Sequence, residues 1–246
     1  MEDIIKAFMV DLKKLAAEKA IELIGEDTKL LGLGAGVTIS HIVDGLTEKI
    51  KRGSEIKILT SSLATKKLLI EKGIPVEETA AYSRIDLYLD GCDQFDKNLD
   101  ALKSGGGIHT LEKLLASMAN EFVIVADESK FVEHLDNRLP IVVELIPQSL
   151  EYVKASIERL FPGVNISLRM NPGKILPHLT ENANWLLDCW FDKLPELKTF
   201  NPTIKNTAGV LETSLFYGLA KRAVVAGLDA TKVIGRFDYE HSKIAQ

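Results

Sequence analysis

Cysteine is scarce in this chain, with only Cys92 and Cys189 in 246 residues. Two thiols so far apart make neither a disulfide framework nor a cysteine-based zinc site, and they point to a reducing, cytoplasmic setting. Histidine is almost as sparse. The five, at positions 41, 109, 134, 178 and 241, show no metal-ligand spacing, so no metal and no other cofactor is expected. No apolar run approaches the roughly 20 residues that a membrane span needs. The opening stretch MEDIIKAFMVDLKKLAAEKA mixes lysines and acids, unlike a leader with a basic cap and a greasy core, and reads as a first helix. A basic excess is missing too: 30 Lys and Arg stand against 35 Asp and Glu, a net charge of -5. Nucleic acid and membrane are therefore not expected partners, and any anion site must be local.

What is present is apolar periodicity in two rhythms. With 46% hydrophobic and 26% charged residues, the chain can bury a sizeable core without staples. Ile5, Met9, Leu12, Ala16, Ala20 and Leu23 recur at helical spacing. KLLGLGAGVT then reads as strand and tight turn, followed by a helix carrying Ile39, Ile42, Val43, Leu46 and Ile50. The unit recurs. EIKILTSS leads to a helix near 65–72, RIDLYLDG leads through a charged stretch to HTLEKLLASMA, and EFVIVAD follows. Such alternation predicts an α/β fold, a doubly wound, mainly parallel, Rossmann-like sheet. Ligands in such sheets sit beyond the carboxyl ends of the strands, where Gly34, Thr60, Asp90 and Asp127 fall.

After Arg138 the texture changes. LPIVVELI, a helix around 150–160, VNISLRM and NWLLDCWF suggest a smaller α+β domain at 139–207, bracketed by Pro140 and Pro202. Residues 1–138 and 208–246 would form the catalytic sheet domain, with the tail GVLETSLFYGLAKRAVVAG returning to the main sheet. Met118, Trp185 and Trp190 read as core.

Chemistry concentrates in DGCDQFDKNLDALKSGGG, from Asp90 to Gly107. Asp90 ends an apolar strand, Asp93 lies three residues on, Lys103 precedes a glycine loop and Glu112 follows on a helix that Leu111, Leu114 and Leu115 should fix to the core. Carboxylates beside an ammonium can divide acid and base roles. Asp96, Lys97 and Asp100 read as surface charges. His109 reads as a satisfied or solvent-facing histidine. GLGAG, from Gly32 to Gly36, suits a monophosphate better than a dinucleotide, because the spacing is not G-x-G-x-x-G and the second strand ends in LTSS rather than in an acid. A plain glycine turn is nearly as good a reading of it. Ser62 reads as a helix cap, Thr60 and Ser61 as crevice lining, and Lys130 of DESK as an anion ligand or a surface lysine.

Taken in order, GLGAGVT, TSSLAT, DGCDQ, KSGGG with LEK, DESK and GVLE resemble the A-type ribose-5-phosphate isomerases, whose pattern runs G-x-G-T-G-S-T, T-S-x-x-T, D-G-A-D-E, K-G-G-G with R-E-K, D-E-S-K and G-V-V-E. The resemblance runs through most of the chain. It implies interconversion of D-ribose 5-phosphate and D-ribulose 5-phosphate through an enediolate, in the non-oxidative pentose phosphate pathway, with no metal and as a homodimer or tetramer. It makes Glu112 the base between sugar C1 and C2, Asp90 the group assisting ring opening, Lys103 the cation for the enediolate oxygen and Asp93 the holder of a hydroxyl or of the lysine. Gly34, Gly36, Thr38, Gly105, Gly106, Lys130 and Lys13 would bind the sugar phosphate. Ala35, Val37, Gln94, Ser104 and Leu111 depart from the pattern. An isomerase of a different sugar phosphate and a non-catalytic sugar-phosphate sensor remain the alternatives.

Overall fold

The computed structural model describes residues 11–236. Helix α1 (Leu12–Glu22) is capped by Asp11, whose carboxylate accepts from the Lys14 N–H, and it buries Ala16, Ala17 and Ala20. Ile5 and Met9 of the expected stripe, and His241, lie outside the described residues. β1 (Leu30–Leu33) turns through three residues into α2 (Val37–Lys51), whose Ile39, Ile42, Val43 and Leu46 are buried. β2 (Lys57–Thr60) leads to α3 (Leu63–Glu71), and Ser62 caps it by accepting from the Thr65 N–H, as its position suggests. β3 (Ile85–Asp90), β4 (Gln94–Asp96) and β5 (Ala101–Leu102) precede α4 (His109–Met118) and β6 (Ala119–Asp127). Then follow β7 (Phe131–Val132), β8 (Ile141–Leu145), α5 (Leu150–Leu160), β9 (Asn165–Leu168), β10 (Trp185–Trp190) and α6 (Leu197–Lys205). β11 (Val210–Thr213), β12 (Leu215–Phe216), β13 (Arg222–Ala226) and β14 (Thr231–Gly235) end the described chain.

The chain divides into two compact units. The first holds the described residues through Gly91, Met118–Lys130 and those from Lys221. Its six-stranded sheet has the order β14-β13-β6-β3-β1-β2, parallel except for the antiparallel β13–β14 edge. Strands such as β3 and β6 are nearly continuous apolar runs, as expected for strands buried on both faces. Leu31, Leu33, Leu87, Leu89, Val123, Val125 and Val224 join the buried faces of α1 and α2 in one core. The chain leaves β1 for β2 on one side and returns to β3 on the other, so β1 and β3 flank the topological switch point.

The second unit holds Cys92–Ser117 and Phe131–Ala220. It contains an antiparallel sheet, β11-β8-β10-β9, and a small sheet, β12-β5-β4-β7. Ile141, Val143, Leu145, Leu187, Val153, Ile157, Phe200 and Ile204 pack its core. This division differs from the expected boundaries at 139 and 207. β4 pairs with β5 and β7, and β5 with β12, so the acidic stretch and glycine loop belong with the later strands. Only the end of the tail returns to the parallel sheet, because β11 pairs with β8 and β12 with β5. Pro202 lies inside α6 rather than at a boundary. Trp190, at the end of β10, is 40% exposed rather than core, whereas Trp185 packs against the core.

Candidate active site

In the first unit, the register places Leu33 beside both Thr60 and Leu89, so the turn after β1 meets the end of β3. The Gly34 N–H donates to the Leu89 carbonyl at 3.0 Å, and the Thr65 hydroxyl donates to the Gly34 carbonyl at 2.7 Å. A β-carbon on Gly34 would lie 1.8 Å from Asp90 Oδ1, so only glycine permits this approach. Asp90 is fully buried. Its Oδ1 accepts from the N–H groups of Gly91 (2.7 Å) and Ala35 (3.2 Å), and its Oδ2 from the Tyr88 hydroxyl (2.7 Å). Ser61, also buried, hydrogen-bonds Tyr88 at 3.2 Å. Asp90 thus pins the glycine turn as well as ending a strand. Thr60 Oγ1 accepts from the Ser62 N–H.

Gly36, at φ 95°, caps α2 without a side-chain bond, which leaves first-turn N–H groups for an anion. Gly36 is exposed, Thr38 half-buried and Val37 exposed. Asp127, at the end of β6, accepts from the Ser129 N–H at 3.0 Å and from the Ser129 hydroxyl, building the turn that carries half-buried Lys130. Lys13 is exposed in the first turn of α1.

In the second unit, the structure brings together what the spacing suggested. Lys103 Nζ lies 3.2 Å from Glu112 Oε1, with both side chains over nine-tenths buried. Burial of either ion alone would be costly, and each compensates the other. The Lys103 N–H donates to the Ser214 carbonyl at 3.0 Å, and its ammonium stands 5.7 Å from the Phe216 ring centre. Asp93 turns toward the glycine loop, its Oδ2 accepting from the Gly105 N–H at 2.8 Å. Gly105 and Gly106 are exposed, and Gly107 has φ 68°. On the helix that carries Glu112, Leu115 is buried but Leu114 is 46% exposed, contrary to its expected place in the core.

Two expectations are corrected here. Asp96 and Asp100 are buried, not surface charges. Asp96 Oδ1 accepts from the N–H groups of Asn98 and Asp100, and Asp100 Oδ1 from that of Gly218. Burial, then the charge of Asp100, raises the Asp96 pKa. His109, read as satisfied or solvent-facing, is buried with its Nε2 3.4 Å from the Glu212 carbonyl, and its pKa is pushed down to about 3 by burial and then by Lys113.

Sequence reasoning missed the buried network behind Glu112. Lys113 Nζ donates to Glu212 Oε1 (2.9 Å) and to the Thr213 carbonyl (2.5 Å), tying α4 to β11, while Lys205 pairs with the other side of Glu212. Burial lowers the Lys113 pKa to about 8 against the pull of Glu212. Burial works to raise the Glu212 pKa, but Lys113 and Lys205 leave it lowered. The GVLE motif was the signal for Glu212; Lys113, adjacent to Glu112, looked like a helix-face lysine. Among the described residues, no three His, Cys, Asp or Glu side chains form a group fit to hold a metal ion.

Residues 57–230 match the family described as ribose 5-phosphate isomerase A (phosphoriboisomerase A). The chain belongs to the ribose 5-phosphate isomerase A family. It is 38% identical over 221 residues to ribose-5-phosphate isomerase A of Prochlorococcus marinus subsp. pastoris, covering 89% of this chain and 94% of that protein. Identity to the Homo sapiens ribose-5-phosphate isomerase is 33% over 215 residues, 86% of this chain and 69% of the human one. A solved D-ribose-5-phosphate isomerase in complex with phospho-erythronic acid superposes with a TM-score of 0.84 at 31% identity, covering 92% of this chain and 98% of that one. The Methanocaldococcus jannaschii enzyme gives the same TM-score and coverage at 29% identity. Two departures from the isomerase pattern now have local reasons. The Ser104 hydroxyl donates to the Pro140 carbonyl at 2.6 Å. The Gln94 amide donates to Asp136 and accepts from its N–H, a two-way contact that a carboxylate cannot make.

Proposed function

We propose that this chain interconverts D-ribose 5-phosphate and D-ribulose 5-phosphate as an aldose-ketose isomerase of the non-oxidative pentose phosphate pathway. The observation that carries the proposal is the buried Lys103–Glu112 pair at 3.2 Å, set between a glycine loop and a helix, together with the family. Glu112 takes the proton from C2 of the open-chain aldose, and the electron pair passes to O1 as an enediolate. The resulting carboxylic acid returns the proton to C1 while the O2 proton passes to O1. Lys103 stabilises the developing oxyanion, a contribution that grows in a dry site. Asp90 assists ring opening, and Asp93 holds the glycine loop whose Gly105 and Gly106 face substrate hydroxyls. Gly34, Gly36, Thr38 and Lys130, with Lys13, hold the phosphate.

The reaction asks for a base and a cation, and Glu112 and Lys103 supply both. The free cysteines fit a cytoplasmic location, and no described helix is long and apolar enough to cross a membrane. A homodimer or tetramer is the assembly we infer from family membership. A coupled assay on a panel of aldose phosphates, with and without EDTA, tests the proposal: ribose 5-phosphate is the best substrate and EDTA leaves the rate unchanged. Glu112→Gln lowers kcat by at least about 10²-fold, the range of a positioned general base. Binding without turnover would make the protein a sensor instead.

A further inference from the structure

The glycine loop between Lys103 and Glu112 is gripped from behind by a side chain that no motif contains. Arg169 directly follows β9. Its N–H donates to the Leu186 carbonyl at 2.9 Å, so it lies diagonally across from Asp188 on β10. Nε donates to Asp188 Oδ2 at 3.2 Å and Nη2 donates to Asp188 Oδ1. The same fork reaches the loop: Nη2 donates to the Ser104 carbonyl at 2.8 Å, and Nη1 to the Gly105 carbonyl at 3.2 Å. Only a planar guanidinium can serve a carboxylate and two successive carbonyls at once.

Peptide planarity carries the consequence forward. The described peptides are all trans, so each N–H points opposite to the carbonyl of its own peptide unit. With the Ser104 carbonyl held by Arg169, the Gly105 N–H points the other way, where Asp93 accepts it at 2.8 Å. With the Gly105 carbonyl held by the same guanidinium, the Gly106 N–H points to the Asp93 side as well. Two successive N–H groups on one side form an anion-favouring concavity. One is satisfied by Asp93, and the other, on an exposed glycine, faces outward.

We propose that Arg169, oriented by Asp188, is a positioning residue of the isomerase. It sets the glycine loop so that the Gly106 N–H donates to a substrate oxygen and so that Lys103, one residue before the loop, keeps its distance to Glu112. The proposal rests on the isomerase reading of Lys103 and Glu112. Arg169 touches no reacting atom in this scheme. Its loss therefore lowers kcat by about 10- to 100-fold, the effect of a small misplacement of a catalytic group, with a KM change of less than about threefold, because the phosphate is bound elsewhere.

The test is Arg169→Met and Arg169→Lys, each checked for folding by circular dichroism, with kcat, KM and hydrogen exchange at the Asp93-bonded Gly105 amide measured. Faster exchange in the loop, by about tenfold or more, together with the kcat-selective loss, supports the proposal. Lysine keeps the charge opposite Asp188 but cannot hold both carbonyls, so Arg169→Lys retains part of the defect. If Arg169→Met does not fold, Arg169→Lys decides alone. A folded variant with unchanged loop exchange overturns the clamp whether or not the enzyme turns over, and wild-type kcat in a variant whose loop exchange has risen overturns its positioning role. Absence of ribose 5-phosphate conversion by the wild-type protein would instead overturn the isomerase reading, with the clamp still judged by exchange.

Discussion

At the scale of single residues, the contacts separate groups that carry charge chemistry from groups that only shape the backbone. Lys103 has a buried carboxylate partner at 3.2 Å, so removing its ammonium takes a nearby countercharge from Glu112 as well as removing the oxyanion's cation. Lys103→Met should cut kcat by roughly 10² to 10³, the cost of losing one such stabilising group, and should also lower the urea midpoint, because a buried carboxylate that loses a countercharge destabilises the fold. A variant with a lowered kcat and an unshifted midpoint would show that the pair matters to catalysis alone. Val37 is a different case. It is 56% exposed in the first turn of α2, where the isomerase pattern has serine. A hydroxyl there donates to a phosphate oxygen and an isopropyl group does not. Val37→Ser should lower KM for ribose 5-phosphate by about tenfold or more, since a hydrogen bond to a charged group is worth roughly 1.5 kcal/mol or more. Steady-state constants for both proteins check it: kcat should move less than KM, and an unchanged or raised KM would place the phosphate away from Val37.

At the scale of elements, the turn between β1 and α2 is built around one carboxylate. Asp90 accepts from the turn at Ala35, and Gly34 leaves it room, so the turn and the end of β3 are one structural feature. Gly34→Ala drives a methyl group into Asp90, which must then move or lose donors. The expected cost is about 1–3 kcal/mol, the usual range for overpacking a well-fitted site, measured as a reduced unfolding free energy in urea. If the variant is as stable as wild type, the turn is more pliable than its hydrogen bonds indicate. The same logic applies to α4. Its outward face carries exposed Leu114, and its inward face is anchored by Lys113 to Glu212 and Thr213, an ionic anchor where the apolar pattern leads one to expect a hydrophobic one.

At the scale of the whole molecule, stability should depend on acid through His109. It is buried, and burial followed by the nearby Lys113 and Arg169 charges lowers its pKa to about 3, against the opposing influence of the Glu212 carbonyl and carboxylate. A histidine ordinarily titrates near 6.5. Between those values the unfolded chain binds a proton that the folded chain refuses, so the unfolding free energy falls as pH drops from about 6.5 toward 3. The slope approaches one proton, about 1.4 kcal/mol per pH unit. His109→Asn should flatten the curve of unfolding free energy against pH by nearly that amount between pH 6 and 4, whatever its effect at pH 7. An unaltered slope in the variant would assign acid sensitivity to other groups. Asp136, held down to about 2 by the adjacent Arg138 side chain, acts in the same direction but only below its ordinary range near 4, and its exposure to solvent keeps that contribution small.

Local pattern was enough to decide a good deal of this protein. The helical spacing of α2, the Ser62 cap, the apolar runs of β3 and β6 and the order of the glycine and acid motifs are set by residues close in the chain, and their alternation dictates a parallel sheet. The placing of Lys103 near Glu112 was legible for the same reason, since a nine-residue separation across a loop leaves few arrangements. Tertiary structure alone decided which charges are buried and what they hold. Asp96 and Asp100 look like any acidic loop until the β4–β5 hairpin closes around them. Arg169 lies far along the chain from Ser104, and Lys113 far from Glu212, so only the completed sheets bring them within hydrogen-bonding reach. The boundary between the two units was hidden for the same physical reason: strand pairing, not local composition, assigns the stretch from Cys92 to Ser117 to the strands that come after it.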